Sequence, residues 1–238
     1  MLDTKYHQFA ERQTTLVEQL YHNYCDAWYI RNLGGCSTIL DVGSGDGRLA
    51  RKLRDIGFKV TCLEPDEKMC QQLRFDGFET IDYGFENFTD EDKKYDAVIF
   101  SFGVLNFVAD IDEAVEKATR LAKFVVLGWV SNHKQVGLML NLTGEDYQQT
   151  TKGWFPYHLI SKNQWGIQIT QLMRGYSFNK VSRLFKYVKP FPALLFALQW
   201  GMPNTPANRL RASQALQWDV RYPNKEWASG FLVKKVIR

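Results

Sequence analysis

Between Thr38 and Ile56 the chain passes from a β-prone run, Thr-Ile-Leu-Asp-Val, through Gly43-Ser44-Gly45-Asp46-Gly47 into a segment with Leu49, Leu53 and Ile56 on one helical face. Few folds accommodate a strand, a loop of three alternate glycines and a helix in such quick succession. Glycines let the backbone approach a ligand closely. The helix that follows offers free N–H groups to a negatively polarised atom. In an open α/β sheet this first turn is where nucleotides bind. The spacing here is G-x-G-x-G, which differs from the G-x-G-x-x-G fingerprint of dinucleotide sites.

The flanking sequence continues the alternation. Residues 5–30 read as a helix, with Leu16, Leu20, Tyr24 and Trp28 at i, i+4 spacing, broken by Gly34-Gly35. Phe58–Leu63 reads as a second strand, and Asp66 caps a helix to about Phe75. Phe78–Ile81, Tyr95–Phe100 and Phe124–Trp129 read as three more strands. Asp110 with Glu113 opens a helix through Leu121. Strands alternating with helices predict a parallel, doubly wound sheet. Beyond it, Ser161 with Gln164 predicts a helix to about Arg174. Phe178–Tyr187 and Gly230–Ile237 read as late strands that pair partly antiparallel, with an irregular stretch at 189–225 between them.

Two acids frame the glycine loop. Asp41 precedes it, placed to face a cationic group. Glu64 ends the second strand, where a carboxylate can accept both hydroxyls of a ribose, each charge-assisted bond contributing about 1.5–3 kcal/mol. The ligand implied is an adenosine carrying an amino-acid tail.

On these segments the chain resembles the class I S-adenosylmethionine-dependent methyltransferases, small-molecule branch, over about residues 36–131. ILDVGSGDGRLA is similar to the family's first motif, CLEPDEKM to its second and YDAVIFSFGVLNFV to its fourth-strand motif. The resemblance implies a Rossmann-like, seven-stranded sheet whose last strand is antiparallel. It implies one methyltransferase domain over 1–238, divided into a helical lid at 1–33, a cofactor-binding core at 36–131 and acceptor-side insertions with the last strands at 132–238. S-adenosylmethionine is the implied cofactor and S-adenosylhomocysteine its product. Asp41 and the loop Gly43-Ser44-Gly45 would hold the methionine part, Glu64 the ribose, and Pro65 or Asp66 would lie beside the adenine. Phe85, with Asp82 as its rival, would contact the adenine edge, and Ser101 and Phe102 would border the cofactor. Asp46 has the competing role of capping the helix after the loop.

A sulfonium donor is already activated, so the protein needs chiefly to align the acceptor and exclude water, and a general base is optional. The candidates are His133 and His158, which flank loops that cover the pocket in this fold. Ser101-Phe102-Gly103-Val104 stands where amino-methylating nucleic-acid and protein enzymes carry an Asn-Pro-Pro-Tyr-like motif. Tyr21, Tyr24 and Trp28 on the first helix, Trp154, Phe155 and Tyr157, and the later Phe191, Phe196, Trp200 and Trp218 suit a small apolar or aromatic acceptor; packing of the insertion onto the sheet is the other role open to them. The rival readings are an RNA or protein methyltransferase and a catalytically silent partner subunit.

Charge is divided unevenly. Residues 1–150 carry 16 basic and 24 acidic side chains, a net of −8, whereas residues 151–238 carry 14 basic and 2 acidic ones, a net of +12. Within 180–211, Lys180, Arg183, Lys186 and Lys189 precede Phe191, Leu194, Leu195, Phe196, Leu198 and Trp200, then Arg209 and Arg211. This stretch is expected either to meet an anionic membrane surface peripherally or to wall the acceptor pocket. Nucleic acid is the less favoured partner, and the oligomeric state is open. No signal peptide or spanning segment is visible, so a cytoplasmic location, peripheral at the inner membrane face, is expected. Cys25, Cys36, Cys62 and Cys70 show no metal-ligand spacing, and no metal site is expected.

Overall fold

The computed structural model describes residues 16–89, 94–101, 103–132, 154–158, 172–190, 204–225, 228 and 230–237. In chain order the elements are α1 (Leu16–Arg31), β1 (Thr38–Val42), α2 (Arg48–Asp55), β2 (Lys59–Leu63), α3 (Glu67–Phe75), β3 (Glu79–Ile81), β4 (Tyr95–Phe100), α4 (Ile111–Leu121), β5 (Ala122–Ser131), β6 (Trp154–His158), β7 (Leu172–Tyr176), α5 (Phe178–Leu184), β8 (Tyr187–Pro190), α6 (Pro206–Arg221) and β9 (Gly230–Val236). Short 3₁₀ turns at Phe85–Asn87 and Val104–Asn106 flank β4.

Seven strands form one sheet in the order β3-β2-β1-β4-β5-β9-β8. The first five are parallel, β9 runs antiparallel to β5 and β8 antiparallel to β9. This is the Rossmann-like sheet with an antiparallel strand near its end that the resemblance implies. The order turns back on itself between β1 and β4, so a crevice opens at the carboxyl ends of the central strands. A separate antiparallel pair joins β6 and β7.

Both faces of the sheet are covered. Leu40, Val42, Val98, Phe100 and Val126 pack on Val115 and Ala118 of α4 and Val181 of α5. On the opposite face Ile39, Cys62, Ala97, Ile99 and Leu127 meet Cys25 and Tyr29 of α1, Leu49 and Leu53 of α2, Leu73 of α3 and Ala212 of α6. Alternate residues of one strand thus serve two cores, which is why the central strands read as continuous apolar runs. Asp66 caps α3 by accepting the Met69 N–H at 3.1 Å, and Asp110 caps α4 by accepting the Asp112 and Glu113 N–H groups at 2.7 and 3.2 Å.

Three late elements depart from the sequence reading. Phe178–Tyr187, expected as a strand, is helical to Leu184: the Ser177 hydroxyl accepts the Lys180 N–H at 3.2 Å, and Val181 and Phe185 turn one face into the core. Only Tyr187–Pro190 then pairs with β9. The stretch 189–225, expected to be irregular, contains α6, whose cap Thr205 accepts the Asn208 N–H at 3.3 Å and whose first residue is Pro206. Of the helix expected over 161–174, Leu172–Arg174 is strand, and residues 161–171 lie outside the described residues.

Candidate active site

The glycine loop is held by its neighbours before any ligand is considered. The Gly43 N–H donates to the Leu63 carbonyl at 2.7 Å, and the Ser44 hydroxyl donates to the Asp41 carbonyl at 2.8 Å. Gly43 has φ +67°, and a Cβ there would lie 2.5 Å from Cγ2 of Val104, in the turn after β4. Gly47 has φ +81°, and its Cβ would lie 2.7 Å from Cδ2 of Leu73. Both glycines therefore serve close approach as well as left-handed backbone. The Asp46 carboxylate accepts the Arg48 N–H at 3.0 Å, but the cap position of α2 is Gly47, so Asp46 braces the turn before the helix and does not cap it.

Glu64 is buried and bound to the loop. Its Oε2 accepts the Gly45 N–H at 2.8 Å, and its Oε1 accepts the Asp66 N–H at 3.0 Å. Burial raises its pKa to about 7 in spite of these two bonds. Each oxygen keeps a lone pair, so both could still accept a hydroxyl. Asp41 is buried beside it, and neither of its carboxylate oxygens has a hydrogen-bond partner. Burial raises its pKa to about 7, partly offset by the positive charge of Arg48. An orphaned buried carboxylate is costly. Here it lies at the end of β1 beside the loop, where a cationic or hydrogen-bond-donating ligand group would satisfy it.

One residue that sequence reasoning did not single out ties α1 to this loop. Asp26, buried on α1, accepts from Arg48, the first residue of α2, and from Lys52 at 2.7 Å. Arg48 in turn supplies the positive charge felt by Asp41. The Tyr29 hydroxyl, one turn along α1, is fully buried without a partner, and burial raises its pKa well above the usual value. An acid within an aromatic helix was the available signal for Asp26; its basic partners lie more than twenty residues away.

The remaining predicted residues separate into groups. Pro65 is exposed and Asp66 buried at the same corner. Ser101 is buried at the end of β4, and its carbonyl accepts the Val104 N–H at 3.3 Å. The Phe85 ring is packed into the core edge-on to Phe100, with centroids 5.0 Å apart, so its side chain stands among core residues. Asp82 is exposed and pairs with Arg74 at 2.8 Å. Phe102 and His133 lie outside the described residues, and His158 is placed only as the last residue of β6. Asn106, also absent from the sequence reading, is buried and accepts the Ser131 N–H at 3.0 Å, joining the turn after β4 to the end of β5. Among the described residues no cluster of histidine, cysteine or carboxylate side chains could hold a metal.

Residues 40–124 match the family model described as a methyltransferase domain. The ubiquinone biosynthesis O-methyltransferase of Paramagnetospirillum magneticum is 28% identical over 165 residues, covering 61% of this chain and 64% of that protein. Among solved structures, a Pyrococcus horikoshii protein superposes with a TM-score of 0.62 at 13% identity, covering 99% of this chain and 100% of that one. A Thermotoga maritima methyltransferase, described as a possible histamine N-methyltransferase, superposes with a TM-score of 0.57 at 14% identity, covering 90% and 89%. At such identities the superpositions establish the fold. The methyltransferase-domain match over residues 40–124 and the shared fold agree with the resemblance to the class I S-adenosylmethionine-dependent methyltransferases read from the glycine-loop motif.

Proposed function

We propose that the chain moves a methyl group from S-adenosylmethionine to a small, apolar or aromatic acceptor. The observation that carries the cofactor half of this reading is the pair of buried acids at the loop, Asp41 without a partner and Glu64 bound to Gly45. Bound S-adenosylmethionine would supply an electrophilic methyl on a positively charged sulfur. Asp41 would receive the ammonium end through its free oxygens. Glu64 would accept the ribose hydroxyls on its remaining lone pairs, with Pro65 and Asp66 beside the base. Ser101 and Phe102 would border the methionine end. Phe85 would act from within the core, by fixing the turn at Phe85–Asn87.

The acceptor half rests on the apolar surroundings and on the nature of the relatives. Tyr21 of α1 packs edge-on against Trp129 of β5 at 5.7 Å between centroids, and Trp28 lies beside Tyr29. The 28%-identical relative is named as a ubiquinone biosynthesis O-methyltransferase. We assign α1 the role of a lid, linked to the loop through Asp26. The chain's work in the reaction is then to orient the acceptor and exclude water. His133 and His158 are the candidates for accepting a proton.

Incubation of the purified chain with fractionated cell extract and methyl-tritiated S-adenosylmethionine tests this reading. Label in the small, organic-extractable fraction is expected. Label in RNA or protein would favour the rival in which the basic C-terminal part docks a macromolecule. Cofactor binding with no label in any fraction would favour a silent partner subunit.

A further inference from the structure

The amphipathicity of α6 is reversed. Its inner face is small, with Ala212 and Ala215 buried and Leu216 half-buried against the core that also holds α1. Its bulkiest apolar residues point the other way: Leu210 is 60% exposed, Trp218 59% and the capping Tyr222 52%. Leu210, Gln214, Trp218 and Tyr222 follow at intervals of four, so they form one stripe on the outer side of a helix about 24 Å long. Trp218 and Tyr222 lie together, with ring centroids 4.6 Å apart, and the Arg221 guanidinium sits 5.5 Å from the Tyr222 ring. A helix docked only on its own core places its large apolar residues inward. Here the outward stripe has the greater apolar bulk.

The charges on α6 select the occupant. Residues 204–225 contain Arg209, Arg211, Arg221 and Lys225 against one acid, Asp219. All four basic residues are exposed, and Arg211 and Arg221 fall within the apolar stripe rather than at its rim. Facing a second α6 in an isologous contact, they would meet each other with little acidic surface to answer them. At a lipid surface the same arrangement is favourable. Leucine and the aromatic rings enter the headgroup boundary, while arginine side chains extend to the phosphates.

Two members of the basic run read from the sequence further upstream are differently employed, while Arg183 and Lys186 are exposed. Lys180 pairs with Asp112, and the Lys189 ammonium sits 5.2 Å from the Tyr24 ring. Of the predicted basic and apolar segment, Arg209 and Arg211 are the members that lie on α6.

We infer that the outer face of α6, carrying Leu210, Arg211, Trp218, Arg221 and Tyr222, is a peripheral docking surface for an anionic lipid bilayer. This is independent of the acceptor's identity. Since α6 packs against α1, docking would hold the helix assigned as lid close to the membrane plane.

The test is flotation of the full chain with phosphatidylcholine vesicles, with and without phosphatidylglycerol. Flotation is expected only with the anionic vesicles, and it should weaken as salt is added. Each of Arg211→Gln and Arg221→Gln should lower the partition coefficient by about fivefold. Leu210→Ser with Trp218→Ser should abolish flotation, while affinity for S-adenosylhomocysteine stays at the wild-type value. Equal flotation on neutral vesicles, or no flotation on either, would overturn the inference. So would flotation indifferent to all these variants, or a wild-type dimer in sedimentation that the Leu210 and Trp218 replacements dissociate.

Discussion

The Gly45 N–H points at the Glu64 carboxylate across 2.8 Å, linking the glycine loop to the end of the second strand. The two residues are 19 positions apart, and their bond adds to the Gly43 N–H bond to the Leu63 carbonyl in holding the loop against the end of β2. Glu64 is thereby a structural latch on the loop as well as the acceptor proposed for ribose. Glu64→Ala should weaken S-adenosylhomocysteine binding by about 1.5–3 kcal/mol, roughly ten- to a hundredfold. Glu64→Gln should also weaken it, because its amide would turn a donor toward either the Gly45 or the Asp66 N–H. Titration calorimetry on both variants checks this, and unchanged affinity in the alanine variant would remove Glu64 from the site.

Burial raises the pKa of both Asp41 and Glu64 to about 7 in the free protein, above their ordinary carboxyl values. The folded chain therefore keeps protons that the unfolded chain releases near pH 4. Stability from these groups is greatest below that pH, falls as pH rises toward about 7 and is level above it. A ligand ammonium beside Asp41 favours the ionised form, so affinity for S-adenosylhomocysteine should rise with pH up to about 7 and then flatten. Melting curves between pH 5 and 8, as an order-of-magnitude window around that pKa, should show a ligand-induced increase in Tm that grows with pH. Asp41→Asn should raise the Tm of the free protein at pH above about 7 and abolish the part of the pH dependence due to Asp41.

Gly43 can be tested through its neighbour. An alanine Cβ would lie 2.5 Å from Val104 Cγ2, on backbone with φ +67°. Gly43→Ala should cost about 1–3 kcal/mol from crowding and left-handed strain together. Adding Val104→Ala should recover part of the loss by relieving the crowding, leaving the backbone term. Denaturant titration of the single and double variants gives both numbers; equal stability of the two would show that Val104 does not set the constraint.

Asp26 offers a probe of the lid. Its removal leaves Arg48 and Lys52 without the carboxylate they share. Because the Arg48 side chain is 28% exposed, Asp26→Ala should cost about 1–3 kcal/mol, less than the breaking of a fully buried pair. Amide exchange in residues 21–31 should quicken more than exchange in β4. If exchange rises equally in both, Asp26 supports the whole fold rather than the attachment of α1.

Local sequence determined the first half of this protein. The TILDV strand, its glycine loop, Asp66 and Asp110 as helix caps, and the apolar β4 are short-range signals, and each appears in the structure at the expected place. Asp41 and Glu64 were legible for the same reason, since they sit at fixed offsets from a strand end. Contacts distant in sequence decided the rest. Phe178–Leu184 has β-prone residues, but burial of Val181 and Phe185 in a core assembled from β4, β5 and β9 made it a helix. The pairing of Asp26 with Arg48, and the missing partner of Asp41, depend on where α1 settles over the sheet. Periodicity reports which face of a segment is apolar; only the packed molecule decides what that face meets, and on α6 it left the larger apolar side facing outward.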